Sequence, residues 1–121
     1  MTKTKEVLLL EAAPDIGKES AYRAEICIEG HPSQVLWENV NLKNGAFTSG
    51  IWEGRTGTLN VQNYPFNEVL TIHSGWLELT DENGPTRRIE PGMSAYIPKG
   101  WCGIFKIGET TRKTYVLYSG E

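Results

Sequence analysis

Two histidines and two cysteines are all the imidazole and thiol in this 121-residue sequence. Cys27 and Cys102 lie far apart and show no C-x-x-C spacing, so neither a zinc knuckle nor a disulfide framework is indicated. In a reducing compartment both read as small buried or half-buried side chains. A nucleophilic Cys102 would need a histidine, and neither histidine is near it in sequence. Charge of one sign is also scarce. The net charge is −3, and no basic block is long enough to follow a phosphate backbone, so nucleic acid is not an expected partner. Arg87-Arg88 reads as a solvated strand face. No apolar run approaches the length of a membrane span, and no membrane partner is expected. The opening stretch MTKTKEVLLLEAAP carries two lysines and a short apolar run that Glu11 interrupts, a poor fit to a secretory signal. A cytoplasmic location is expected.

Helical periodicity is equally sparse. Only KEVLLLEAA and APDIGKES could support a helical turn, and the first could equally be an edge strand. Period-two alternation dominates instead. YRAEICIE, QVLWENV, FTSGIWEG, TLNVQ, EVLTIHS, WLELTD, TRRIE, SAYIP, CGIFKI and RKTYVLYS all read as short strands. Turn residues separate them: Asn83-Gly84 is a strong hairpin signal, and EPGM and PKGW place proline beside glycine. Gly75 is expected to turn a hairpin between EVLTIHS and WLELTD. About ten short strands with close turns predict an all-β sandwich or barrel. The 121 residues suffice for a single domain, 1–121, and no linker divides them.

Two motif fragments are similar to the cupins, a superfamily of small jelly-roll β-barrels. Glu68 and Gly75 match the E-x6-G that ends the first cupin motif. Gly92 followed by Pro98-Lys99-Gly100 matches the first half of the second. WEGRTG, NYPFNEVL, EPGMSAYIPKGWCGIF and TTRKTYVLY together resemble the ureidoglycine aminohydrolase-like cupin domains. That resemblance covers residues from about 35 to 118, with Met93 where the pattern often has an acid. It implies a jelly roll with its core in that span and an N-terminal segment packed on the barrel or on a partner. It also implies pairing of barrels into homodimers. Val7, Leu8, Leu9 and Val69 are apolar residues that could feed such an interface.

Metal-binding cupins use two histidines and a glutamate from the first motif and a histidine from the second. Carried over residue by residue, Glu68 matches the glutamate. Gln62 or Val61 falls at the first histidine, Tyr64 or Asn63 at the second, and Gly103 at the last. A tight divalent site needs three or four converging imidazole or carboxylate ligands. One carboxylate with one amide does not supply them, so no metal and no other cofactor is expected. Alternation that turns Glu68 inward sends His73 outward, and His31 lies in a turn-like stretch.

A carboxylate inside a barrel must be paired, hydrogen-bonded or protonated. Tyr64 and Gln62 lie at even spacing from Glu68 and either could donate to it. Glu68 and Tyr64 are the candidate catalytic or anchoring groups, a desolvated carboxyl being suited to general-acid work. Trp52, Tyr96, Trp101, Phe105 and Tyr115 are candidates for an aromatic pocket lining. One of Arg112 and Lys113 should face inward; Lys113 is included among the ligand-contacting candidates, and its structural alternative is a buried ion pair with Glu68. Glu53 is read as an outward partner of Arg55. Three functions remain open: a cupin domain holding a small polar metabolite without a metal, a metal-dependent aminohydrolase-like enzyme acting on a ureido or amino substrate, and a structural or regulatory homodimer without turnover.

Overall fold

The computed structural model describes residues 5–120. Within them eleven strands form two antiparallel sheets that face each other as a cupin jelly roll. The first sheet has the order β1 (Lys18–Ala21), β3 (Ser33–Leu42), β4 (Phe47–Gly54), β11 (Thr111–Tyr118), β6 (Asn67–Ser74), β9 (Ser94–Ile97). The second has the order β2 (Cys27–Glu29), β5 (Gly57–Val61), β10 (Gly103–Ile107), β7 (Leu77–Asp81), β8 (Thr86–Ile89). Nine of the expected strands lie where alternation puts them. YRAEICIE instead begins with a 3-10 turn, Ala24–Ile26, before β2.

Alternation sorts the side chains between the sheets. Along β6, Glu68, Leu70 and Ile72 are buried, while Val69 and His73 are exposed. Inward aliphatics from β6, β7, β8, β9 and β10 (Leu70, Ile72, Leu77, Leu79, Ile89, Ile97, Ile107) fill one half of the sandwich. Each contributes about 1.5–3 kcal/mol on burial. The other half, between β3, β4, β11 and β5, β10, is left with a cavity. A strap running from β1 to β2 crosses its open edge, and Tyr22, Arg23 and Ile26 on that strap line the cavity.

Several local expectations change. Asn83-Gly84 does close the β7–β8 hairpin, with Asn83 at φ 58°. Gly75 does not close a hairpin: β6 and β7 belong to different sheets, and Gly75, at φ 75°, turns the chain from one to the other. A Cβ there would lie 2.4 Å from the Thr110 carbonyl oxygen, so both conformation and space require glycine. APDIGKES is a turn followed by strand β1, and residues 5–13 form neither helix nor strand. The latter segment is tied to the outer face of β3. The Glu11 N–H donates to Asn39 Oδ1 and the Asn39 amide donates back to the Glu11 carbonyl, each at 3.1 Å. Further along, Gly17 closes over Trp37. Trp37 is therefore buried on the outer face of the sheet rather than in the barrel.

Candidate functional site

The cavity has a volume of about 520 Å³, within the usual range for small-molecule sites. β11 contributes Lys113, Tyr115 and Leu117, spaced by two and facing inward. β6 contributes Glu68, β4 Thr48 and Trp52, and β10 Phe105. β3 contributes Gln34, Leu36 and Glu38.

The polar centre is built on Glu68. Lys113 Nζ lies 2.7 Å from Glu68 Oε2, and the two side chains are 5% and 1% exposed. Tyr64 donates its phenolic hydrogen to Glu68 Oε1 at 2.6 Å. Burial, then the Glu68 charge and that hydrogen bond, push the Tyr64 phenol far above its ordinary range. Tyr64 therefore stays protonated and serves as a donor, not a base. Lys113 also faces the Trp52 ring at 4.5 Å and the Phe105 ring at 5.5 Å, and those rings meet edge to face at 6.2 Å. The Trp52 N–H donates to Gln34 Oε1 at 2.7 Å, and Tyr22 donates to the same oxygen at 2.7 Å. Burial first, with the Glu68 charge adding to it against the Trp52 hydrogen bond, pushes Tyr22 up to about 12.

Not every expected lining residue reaches this cavity. Gln62 stands at its mouth, exposed, and donates to Asn60 Oδ1 and to the Val61 carbonyl instead of to Glu68. Tyr96 is 60% exposed, because β9 turns it to the outer face, where it donates to Asn67. Trp101 does not reach this cavity either; it packs half-buried against the core in a cleft between β9 and β7–β8. Its N–H donates to Asp81 Oδ1 at 2.9 Å, which holds the Asp81 carboxyl below its usual range. Arg112, next to the inward Lys113, points outward and pairs with Glu53 at 2.8 Å; Arg55 meets Glu19 at 3.7 Å, not Glu53. Tyr22, Gln34 and Glu38 were not singled out from the sequence. Gln34, Leu36 and Glu38 do share a period of two, but Val35 and Trp37 between them look more like the buried set.

The donor set does not fit a divalent metal. Among the described residues no three His, Cys, Asp or Glu converge. Both Glu68 oxygens are engaged, one by an ammonium at 2.7 Å. A dication placed about 4 Å from that ammonium would be repelled by roughly 8 kcal/mol even at an effective dielectric constant near 20.

Among the described residues no helix is long and apolar enough to cross a membrane. No curated protein matches the sequence. A protein of the DUF861 family from Pseudomonas syringae pv. tomato superposes with a TM-score of 0.77 at 17% identity, over 84% of this chain and 43% of that one. This chain thus spans less than half the length of that relative. A putative ethanolamine utilization protein EutQ from Salmonella typhimurium gives 0.64 at 15% identity, over 87% and 97%. A DUF861 family protein from Thermotoga maritima is 35% identical over 56% of this chain and 76% of its own, with a TM-score of 0.52. The two likenesses at 17% and 15% identity show the fold. The sequence itself is matched from residue 42 to residue 115 by the EutQ-like cupin domain, and the chain belongs to that family of cupins.

Proposed function

We propose that this cupin domain binds a small polar molecule inside its barrel without a tightly held metal. The observation that carries the reading is the Lys113–Glu68 pair in the cavity wall. The carboxylate that would be the metal ligand in a metal-binding cupin is already satisfied by an ammonium and a phenol. What is left is a roomy, aromatic-walled cavity with polar groups converging on it, the general form of a small-molecule site. Glu68 and Tyr64 act as a fixed polar floor. Lys113, Trp52 and Phe105 hold that floor in place, and Gln62 stands at the entrance.

The test is a thermal-shift screen of purified protein against small acids, amides, ureides and amines. Ureides are included because of the resemblance to ureidoglycine aminohydrolase-like domains. A specific stabilisation, lost in Tyr64→Phe, is the expected result. Silence across the whole screen would defeat the reading.

Self-association is a second proposal, supported by the outer surface. Val7 and Leu9 are 93% and 73% exposed on the N-terminal segment, and Leu8, Val69 and Tyr96 are exposed as well. Apolar exposure of this kind suits a homodimer face. Sedimentation velocity at micromolar concentration tests it, and a monomer at all concentrations would refute it.

A further inference from the structure

Tyr115 is 2% exposed, lines the cavity, and its hydroxyl has no hydrogen-bond partner among the described residues. A buried hydroxyl left unpaired costs about 1–3 kcal/mol, so it is the group a ligand would satisfy. Several neighbouring polar groups are already engaged. Glu68 holds Tyr64 and Lys113, and Gln34 accepts from both Trp52 and Tyr22. The Lys113 charge is shared between Glu68 and two ring faces.

Glu38 stands across from Tyr115. Gly50 on the intervening strand β4 is paired with Tyr115 on one side and with Glu38 on the other, and it has no side chain to separate them. Glu38 Oε2 accepts a hydrogen bond from Asn41 at 2.8 Å, and no cation pairs with Glu38 among the described residues. Burial first, then the Glu38 and Glu68 charges, push the Tyr115 phenol upward, so it remains a neutral hydroxyl in a negative field. Glu68 is offset by Lys113, whereas Glu38 is not offset. An ammonium can donate to a carboxylate and to a phenol oxygen at once. A carboxylate ligand would be repelled there. Leu36, Leu59, Phe66 and Leu117 supply an apolar wall beside this corner.

We infer that Tyr115 and Glu38 are the polar anchor of the site, and that they select a small molecule carrying a protonated amine on an apolar body. This rests on the barrel being a binding site, as proposed above. Arg23, exposed at the rim on the strap, is the cation a carboxylate ligand would use instead, so the test carries a carboxylate arm.

The test is calorimetric titration of the full chain at neutral pH with benzylamine, benzoate and benzamide, in wild type, Glu38→Gln and Tyr115→Phe. Glu38 is exposed and Tyr115→Phe keeps the ring, and melting curves of the unliganded variants verify that both fold. Benzylamine is expected to bind at least about tenfold more tightly than either of the other two. Glu38→Gln is expected to weaken it by about tenfold or more, as for the loss of a charge-assisted hydrogen bond, and Tyr115→Phe by about threefold to tenfold. Tighter binding of benzoate or benzamide, benzylamine binding untouched by both substitutions, or no binding of any probe would overturn the inference. The broader binding reading falls only if the wider screen is silent too.

Discussion

Lys113 and Glu68 meet at 2.7 Å inside the barrel, from strands that lie side by side in one sheet. Each charge is tolerable there because the other is present. Lys113→Met or Glu68→Gln alone should each cost about 3–5 kcal/mol by leaving an unmatched buried partner. The double variant Glu68→Gln, Lys113→Met, which keeps an acceptor for Tyr64, should cost less than either single change. Urea denaturation of the three variants measures this. Additive losses would show that the two groups do not depend on each other.

Tyr64 and Gln62 separate a buried donor from an exposed neighbour. Tyr64→Phe removes a hydrogen bond to a charged acceptor and should cost about 1.5–3 kcal/mol. Gln62→Ala removes an amide that bonds only to Asn60 and a local carbonyl, and should fall within about 0.5 kcal/mol of wild type. Equal losses in chemical denaturation would contradict this placement of the two side chains.

Alkaline pH should weaken the fold steeply. Tyr22, Tyr64 and Tyr115 all have raised phenol ionisation in the folded state. Below the unfolded value near 10 all three are protonated in both states and their contribution is complete. Above it the unfolded chain loses protons that the folded chain keeps, so stability falls as pH rises. Each tyrosine adds about 1.4 kcal/mol per pH unit, and the three together about 4, until their folded-state values are reached. Stability measured by denaturation from pH 8 to 11 reads this slope, and Tyr64→Phe should lower it by about a third. A flat profile would mean these phenols are not held protonated by the fold.

Gly50 should not tolerate a side chain. A Cβ at this position would lie 1.8 Å from the Trp37 carbonyl oxygen, so the β3–β4 pairing would have to part. Gly50→Ala is expected to cost at least about 3 kcal/mol, the upper end for overpacking. A melting temperature within a few degrees of wild type would contradict the close approach.

The sequence made the barrel legible because its strands are short, alternate cleanly, and are separated by unmistakable turns. Once Glu68 is taken as inward, alternation puts Leu70 and Ile72 on the same face and His73 on the other, and it turns one residue of the Arg112-Lys113 pair inward. The misplacements share a physical cause. Alternation tells in from out only when one face is wet. β3 is covered on both faces, by the barrel interior and by the N-terminal segment over Trp37, so inward Gln34 looked like the solvent set, and Glu38 lines the cavity while remaining exposed. Tyr96 is aromatic for the outer surface, where Asn67 accepts from its hydroxyl, whereas Trp101 packs half-buried against the core in the cleft between β9 and β7–β8, where Asp81 accepts from its N–H. Composition does not distinguish such rings from a pocket lining. The crossing of the chain at Gly75 was hidden because a turn between two strands reads the same whether they pair or part.

The most direct measurement is the metal content of the purified protein, with melting curves taken in the presence of manganese, iron, nickel and zinc salts. With Lys113 holding Glu68, the protein should carry no stoichiometric transition metal, and none of these ions should raise its melting temperature. One equivalent of bound metal that disappears in Glu68→Gln would contradict the reading.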